Sequence, residues 1–179
     1  MNLPVLSVFF LISVLFFSCK PDESTQLGDF SFELNRGFTI PAGLSPLNIN
    51  TRTFADNTNL LLANLQSRGL TLDDVREVRV REARWVSNEG AVQSLNFIQE
   101  AIIEIDDFDT PSGGIEIAFV LDQTNRNVGS ILTFIPSLAS ADIFLEGPTY
   151  DLLTEFRTRE ITNRSYGVEL EIIFDVFLN

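Results

Sequence analysis

Histidine is absent from this 179-residue chain, and cysteine occurs once, at position 19. Without histidine there is no Ser-His-Asp or Cys-His catalytic arrangement and no His-containing zinc site. The commonest acid–base side chain near neutral pH is missing too. A single cysteine permits neither an intrachain disulfide nor an all-cysteine zinc site, so the fold rests on packing. Positive charge is scarce: 12 Lys and Arg stand against 25 Asp and Glu, a net charge of −13. Such a surface repels a polyanion, which excludes nucleic acid as a partner. One Trp and two Tyr leave few residues for an aromatic binding platform. No low-complexity tract or internal repeat is visible.

Apolar residues are plentiful, and the longest run opens the chain. "LPVLSVFFLISVLFF" covers Leu3 to Phe17. Its length suits the h-region of a signal peptide and is short for a membrane-spanning helix. Residues 1–10 hold no Lys or Arg, so the α-amino group alone supplies the positive n-region. Cys19 follows directly, and then the polar "KPDESTQ" (Lys20 to Gln26). The stretch resembles a bacterial lipoprotein signal, with Ser18 and Cys19 fitting the lipobox and Phe16 and Phe17 bulkier than its usual residues. That resemblance implies cleavage before Cys19 and acylation of its sulfur and its new amine. Two or three acyl chains hold a protein firmly to a bilayer where one holds it marginally. Residues 1–18 are therefore expected to be a signal peptide, 19–27 a lipidated flexible tether and 28–179 the folded domain. Lys20 followed by Asp22 and Glu23 also resembles the surface-export signal of some Bacteroidota lipoproteins, with Pro21 interposed. The expected location is the outer membrane, lipid-anchored, on the cell surface rather than the periplasmic face.

The domain reads as strands. In "GDFSFELNRGFTIP", Phe30, Phe32 and Leu34 alternate with polar residues, and Asn35-Arg36-Gly37 is expected to turn the chain before Phe38 and Ile40. "LNINTRTF" (Leu47 to Phe54) is a further strand. "DNTNLLLANLQSRG" has helical spacing and predicts one short helix, capped by Asp56 or Thr58 and ended by Gly69. The charged "VREVRVREARWVS" (Val75 to Ser87) predicts a long strand with Val78, Val80 and Val86 on one face and Trp85 as a core anchor. "AIIEIDDF", "GIEIAFVLD", "VGSILTFIP", "ADIFLEG" and "TEFRTREIT" follow as strands. "GVELEIIFDVFLN" shows the strictest alternation, and "NRSYG" (Asn163 to Gly167) is expected to join it to its predecessor as a terminal hairpin. Many strands, one helix and no βαβ rhythm predict an all-β antiparallel β-sandwich, immunoglobulin-like or jelly-roll-like, with a closed barrel as the alternative.

Three segments taken in order carry a second resemblance: "LTLDDVREVRVREARWVS", "LNFIQEAIIEIDDF" and "YDLLTEFRTREITNRSYGVELEIIFDVFL". Over Leu70 to Leu178 the chain resembles uncharacterised Bacteroidota cell-envelope lipoproteins with a β-sandwich domain. These motifs are packing patterns. The resemblance implies the sandwich and brings no activity and no catalytic residues.

Candidate chemistry is thin. Glu104, Asp106, Asp107 and Asp109 crowd a Gly-rich turn, where loop carboxylates could serve calcium. The spacing is not that of an EF-hand, and a solvated strand end explains the cluster more simply. The pairs Asp73/Asp74, Asp106/Asp107 and Glu169/Glu171 could suggest glycoside hydrolysis, but strand neighbours face opposite ways. Glu169 and Glu171 share a face and read as a wet sheet surface. Arg76, Arg79, Arg81 and Arg84, interleaved with Glu77 and Glu82, read as cross-strand ion pairs rather than an anion site. Trp85, Tyr150 and Tyr166 are the candidates for a sugar platform. No metal, cofactor or catalytic residue is expected. The reading is a non-catalytic structural or protein-interaction module of the envelope, with a surface carbohydrate-binding lipoprotein as the alternative. Its partners are the membrane, through the lipid, and envelope proteins or glycans. The last strand is expected to offer an edge for pairing.

Overall fold

The computed structural model describes residues 28–90, 93–106, 113–121 and 128–179. Among the described residues nine strands form, in chain order: β1 (Phe30–Ile40), β2 (Asn50–Thr58), β3 (Val75–Ser87), β4 (Ile98–Asp106), β5 (Ile115–Val120), β6 (Ile131–Thr133), β7 (Ile135–Pro136), β8 (Thr149–Thr158) and β9 (Tyr166–Leu178). An α-helix, α1 (Leu60–Ser67), lies between β2 and β3. The strands make a four-stranded sheet in the order β1-β9-β3-β6 and a five-stranded sheet in the order β2-β8-β4-β5-β7. The paired strands run antiparallel. β6 and β7 are one segment that leaves the first sheet for the second at Phe134, whose N–H donates to the Ala83 carbonyl at 2.9 Å. Counted as a single strand shared by both sheets, this segment gives sheet orders 1-8-3-6 and 2-7-4-5-6. The chain winds back and forth between the sheets, which is a jelly roll and not an immunoglobulin arrangement.

β9 is the spine. Val168, Leu170, Ile172, Phe174 and Val176 point inward and are fully buried, because alternation at period two sends every second side chain to one face. β9 pairs with β1 along one edge and with β3 along the other. The expected terminal hairpin therefore does not form. β8 belongs to the other sheet, and residues 159–165 cross between sheets. Nor does β9 offer an edge.

Other expectations are corrected by the long-range pairing. Asn35-Arg36-Gly37 does not turn: β1 runs unbroken, with Gly37 opposite Glu169. "ADIFLEG" is not a strand but a 3-10 turn at Asp142–Leu145 that buries Phe144 and Leu145. β2 extends through Asp56 and Thr58, so the α1 cap is Asn59, whose side chain accepts from the Leu61 N–H at 3.0 Å. Gly69 ends the helix as expected. At φ +71 it donates to the Gln66 carbonyl, and Leu70 donates to that of Leu65, the two bonds of a Schellman closure.

β3 carries a bulge at Arg81, since Val80 faces Phe174 and Glu82 faces Ile173. One extra residue reverses the alternation. Val78 and Val80 point inward before it, and Ala83, Trp85 and Ser87 after it, so Val86 faces outward against expectation. Trp85 is thereby the core anchor the sequence suggests. Its ring meets Phe38 of β1, Phe134 and Phe156 of β8 edge-on, at centroid distances of 5.1, 5.4 and 5.5 Å.

Candidate functional site

The residues singled out in the sequence do not converge. Cys19, Asp107 and Asp109 lie outside the described residues. Trp85, Tyr150 and Tyr166 are buried, so the expected sugar platform does not form. Each was drawn inward by its ring: Trp85 joins the aromatic cluster, and Tyr166 lies 4.2 Å from Phe97, centroid to centroid. Tyr150 is buried on the inner face of β8, where burial pushes its hydroxyl pKa up to about 12.

The arginines lie on the outer face of the four-stranded sheet. Arg84 bonds Glu171 on β9 and Glu82, the latter at 3.1 Å. Arg79 pairs with Glu77, and Arg81 reaches Asp175 at 3.1 Å. The Glu171 hydrogen bond raises the pKa of the Arg84 guanidinium further. This is a charge ladder whose register places arginine opposite carboxylate.

The outer face of the five-stranded sheet is built differently. Outward positions there include Asp151, Leu153 and Glu155 on β8, Ile102, Glu104 and Asp106 on β4, and Glu116 on β5. Glu104 lies opposite Glu116, and Asp106 opposite Asp151. Partial burial of Glu104 and the like charges of Glu155, Glu116 and Asp106 raise its pKa. Asp106 Oδ1 has no hydrogen-bond partner among the described residues. No group of three or more His, Cys, Asp or Glu is arranged among them to hold a metal.

At one end of this face is a groove of about 230 Å³. Ile49 forms the wall on the β2 side and Leu121 the wall on the β5 side, with Ile102 between them and Glu100, Glu155 and Arg157 at the rim. Arg157 is paired with Glu100 at 3.1 Å. Leu121 is 64% exposed and Ile49 53%, and Leu47 just before it is 90% exposed. The groove lies at the end where β1 finishes, because Gly43 beyond β1 bonds Thr162 beyond β8. The chain enters at the opposite end, where Gly28 crosses so close to β9 that a Cβ would sit 2.7 Å from the Val176 carbonyl oxygen.

The sequence reading missed this groove. Its signal was a lapse in alternation: "AII" at Ala101–Ile103 and "AFVL" at Ala118–Leu121 put apolar residues where a solvated face calls for polar ones.

No family model matches the chain, and no curated protein matches it. Among solved structures it is similar to the decameric BFDV capsid protein, with 15% identity over 82% of this chain and 98% of that one and a TM-score of 0.32. It is also similar to the desmodium yellow mottle tymovirus structure, with 11% identity, 90% and 97% coverage and a TM-score of 0.22. The structure of Mud crab tombus-like virus matches at 7% identity, with 94% and 98% coverage and a TM-score of 0.25. At these scores the likenesses carry no argument about function.

Proposed function

We propose that the chain is an envelope lipoprotein, acylated at Cys19 and held at the cell-surface side of the outer membrane by residues 19–27. There it presents its jelly-roll domain as a non-catalytic protein-interaction module. The observation that carries this reading is the placement of the only cysteine directly between an apolar run and a polar, Pro-containing segment. The domain geometry agrees with it. The chain enters at Gly28, and the groove walled by Ile49 and Leu121 lies at the far end, about 35 Å away along an eleven-residue strand. The glycan-binding alternative is not carried forward, because its three aromatic residues are core residues.

The test compares wild type with Cys19→Ala. Cells are fed a labelled fatty acid and then shaved with protease. The reading expects labelled, membrane-bound wild type that shaving removes, and unlabelled Cys19→Ala. Labelled protein that resists shaving moves the module to the periplasmic face. Unlabelled wild type ends the lipoprotein reading.

A further inference from the structure

We propose that the groove between Ile49 and Leu121 seats an apolar side chain of a protein segment that carries Lys or Arg on either side of it. This names the partner chemistry of the interaction module above, and it rests on that reading only for where the partner is met. Size argues first. Pockets for small molecules run to about 300–1,000 Å³, whereas this groove has about 230 Å³, which suits the side chain of a docking segment. Its walls lie on the β2 and β5 sides with β8 and β4 between them. At about 4.8 Å per strand, that leaves roughly 14 Å, the width of one extended segment or one helix.

Charge then selects among occupants. Glu100 and Glu155 stand at the rim, and Glu104, Asp106, Glu116 and Asp151 continue the negative field along the same face. Arg157 and Glu100 pair with each other at the rim, so Glu155 and the carboxylates further along the face supply the net negative charge. A basic flank therefore gains attraction and faster encounter. A second copy of this chain, at −13, would add repulsion. A lipid surface is disfavoured because the groove lies at the end away from Gly28.

The full chain in detergent is titrated with a labelled short peptide of alternating Lys and Leu. Two further peptides replace Lys by Glu or Leu by Ser. The Lys–Leu peptide should bind, and added salt should weaken it. Leu121→Ser and Glu155→Gln should each weaken it by about fivefold or more. Glu33→Gln, on the other sheet's outer face, should leave it unchanged. The Glu–Leu peptide should not bind, and the Lys–Ser peptide should bind at least about fivefold more weakly. Equal binding of Lys–Leu and Lys–Ser, or no effect of Leu121→Ser, overturns the proposal. So does a concentration-dependent dimer that Leu121→Ser abolishes, which would assign the groove to a second copy. So too does transfer of wild type, but not Leu121→Ser, onto phosphatidylcholine vesicles. Cys19→Ala separates this test from that of the anchor. It should bind the Lys–Leu peptide like wild type, whatever becomes of the lipid label. Loss of binding in that variant would overturn the groove.

Discussion

The two outer faces of the sandwich are made from the same alternation of inward apolar and outward polar residues, yet they differ in charge logic. On the four-stranded sheet, register places Arg84 opposite Glu171 and Arg79 opposite Asp175, and Glu77, Glu82, Glu171 and Asp175 are answered by guanidinium groups. On the five-stranded sheet, register places Glu104 opposite Glu116 and Asp106 opposite Asp151, and apolar residues interrupt the polar rows. One face pairs most of its acids from within. The other leaves negative potential and apolar area to be met from outside. Net charge alone does not distinguish the two, because what matters is which strands are neighbours and in what register.

That contrast belongs to the surface only if the two sheets share one interior, and the largest predicted effect tests this. Trp85→Ala should cost about 3–5 kcal/mol in denaturant unfolding, since it empties the site where aromatic rings of both sheets meet. Trp85→Phe should recover more than half of that loss. Its smaller ring keeps the edge-on contacts and removes an indole N–H that has no partner among the described residues. A single transition must be lost as one. Separate unfolding of the sheets would break the comparison.

Asn59→Ala comes next, at about 1–2 kcal/mol by thermal or denaturant unfolding. Asn59 caps α1 on the path from the five-stranded to the four-stranded sheet, and its amide donates to the carbonyls of Leu145 at 2.6 Å and Gly147 at 2.7 Å. An effect no larger than that of an exposed cap would mean that these two bonds, one buried and one partly buried, contribute nothing to holding the crossover.

Local pattern made part of this legible in the sequence. β3 appears between the residues the alternation indicated, β9 follows its period, and Gly69 ends the helix. What was not legible depended on distant partners. The apparent turn at Asn35-Arg36-Gly37 is straightened by eleven paired residues of β9. The bulge at Arg81 changes which valines are buried, and no local preference announces it. The hairpin at "NRSYG" was wrong because a turn-rich segment can cross between sheets as well as reverse within one. The groove is the same lesson reversed. Ile102 and Leu121 broke the alternation openly, but only pairing of β4 with β5 and β8, and of β8 with β2, gathers them with Ile49.

On the four-stranded sheet's face, Arg84→Gln should destabilise by about 0.2–1 kcal/mol, because its partly exposed pairs are screened by solvent. The loss should shrink as salt is added. Replacing Arg157 on the other face should cost less, since among the described residues its ion pair is the exposed one with Glu100. Equal losses would erase the distinction between a ladder and an isolated pair.

The smallest effect has the opposite sign and is the sharpest test. Partial burial and three like charges raise the pKa of Glu104, so the folded chain holds this proton more tightly than the unfolded chain does. Stability must then fall as pH climbs from the unfolded value through the folded one, and the ionised carboxylate is a net cost at neutral pH. Glu104→Gln should therefore stabilise the protein near neutrality by at most a few tenths of a kcal/mol, at the low end of cross-strand charge effects and reduced by solvent screening. The gain should vanish as pH drops below the ordinary carboxylate range, and an Arg84→Gln chain should show no such gain at any pH. Parallel denaturant curves at neutral and acid pH check both. If Glu104→Gln instead destabilises at neutral pH, the carboxylates of this face are already neutralised by a bound cation, and the contrast between the two faces would have to be redrawn around that ion.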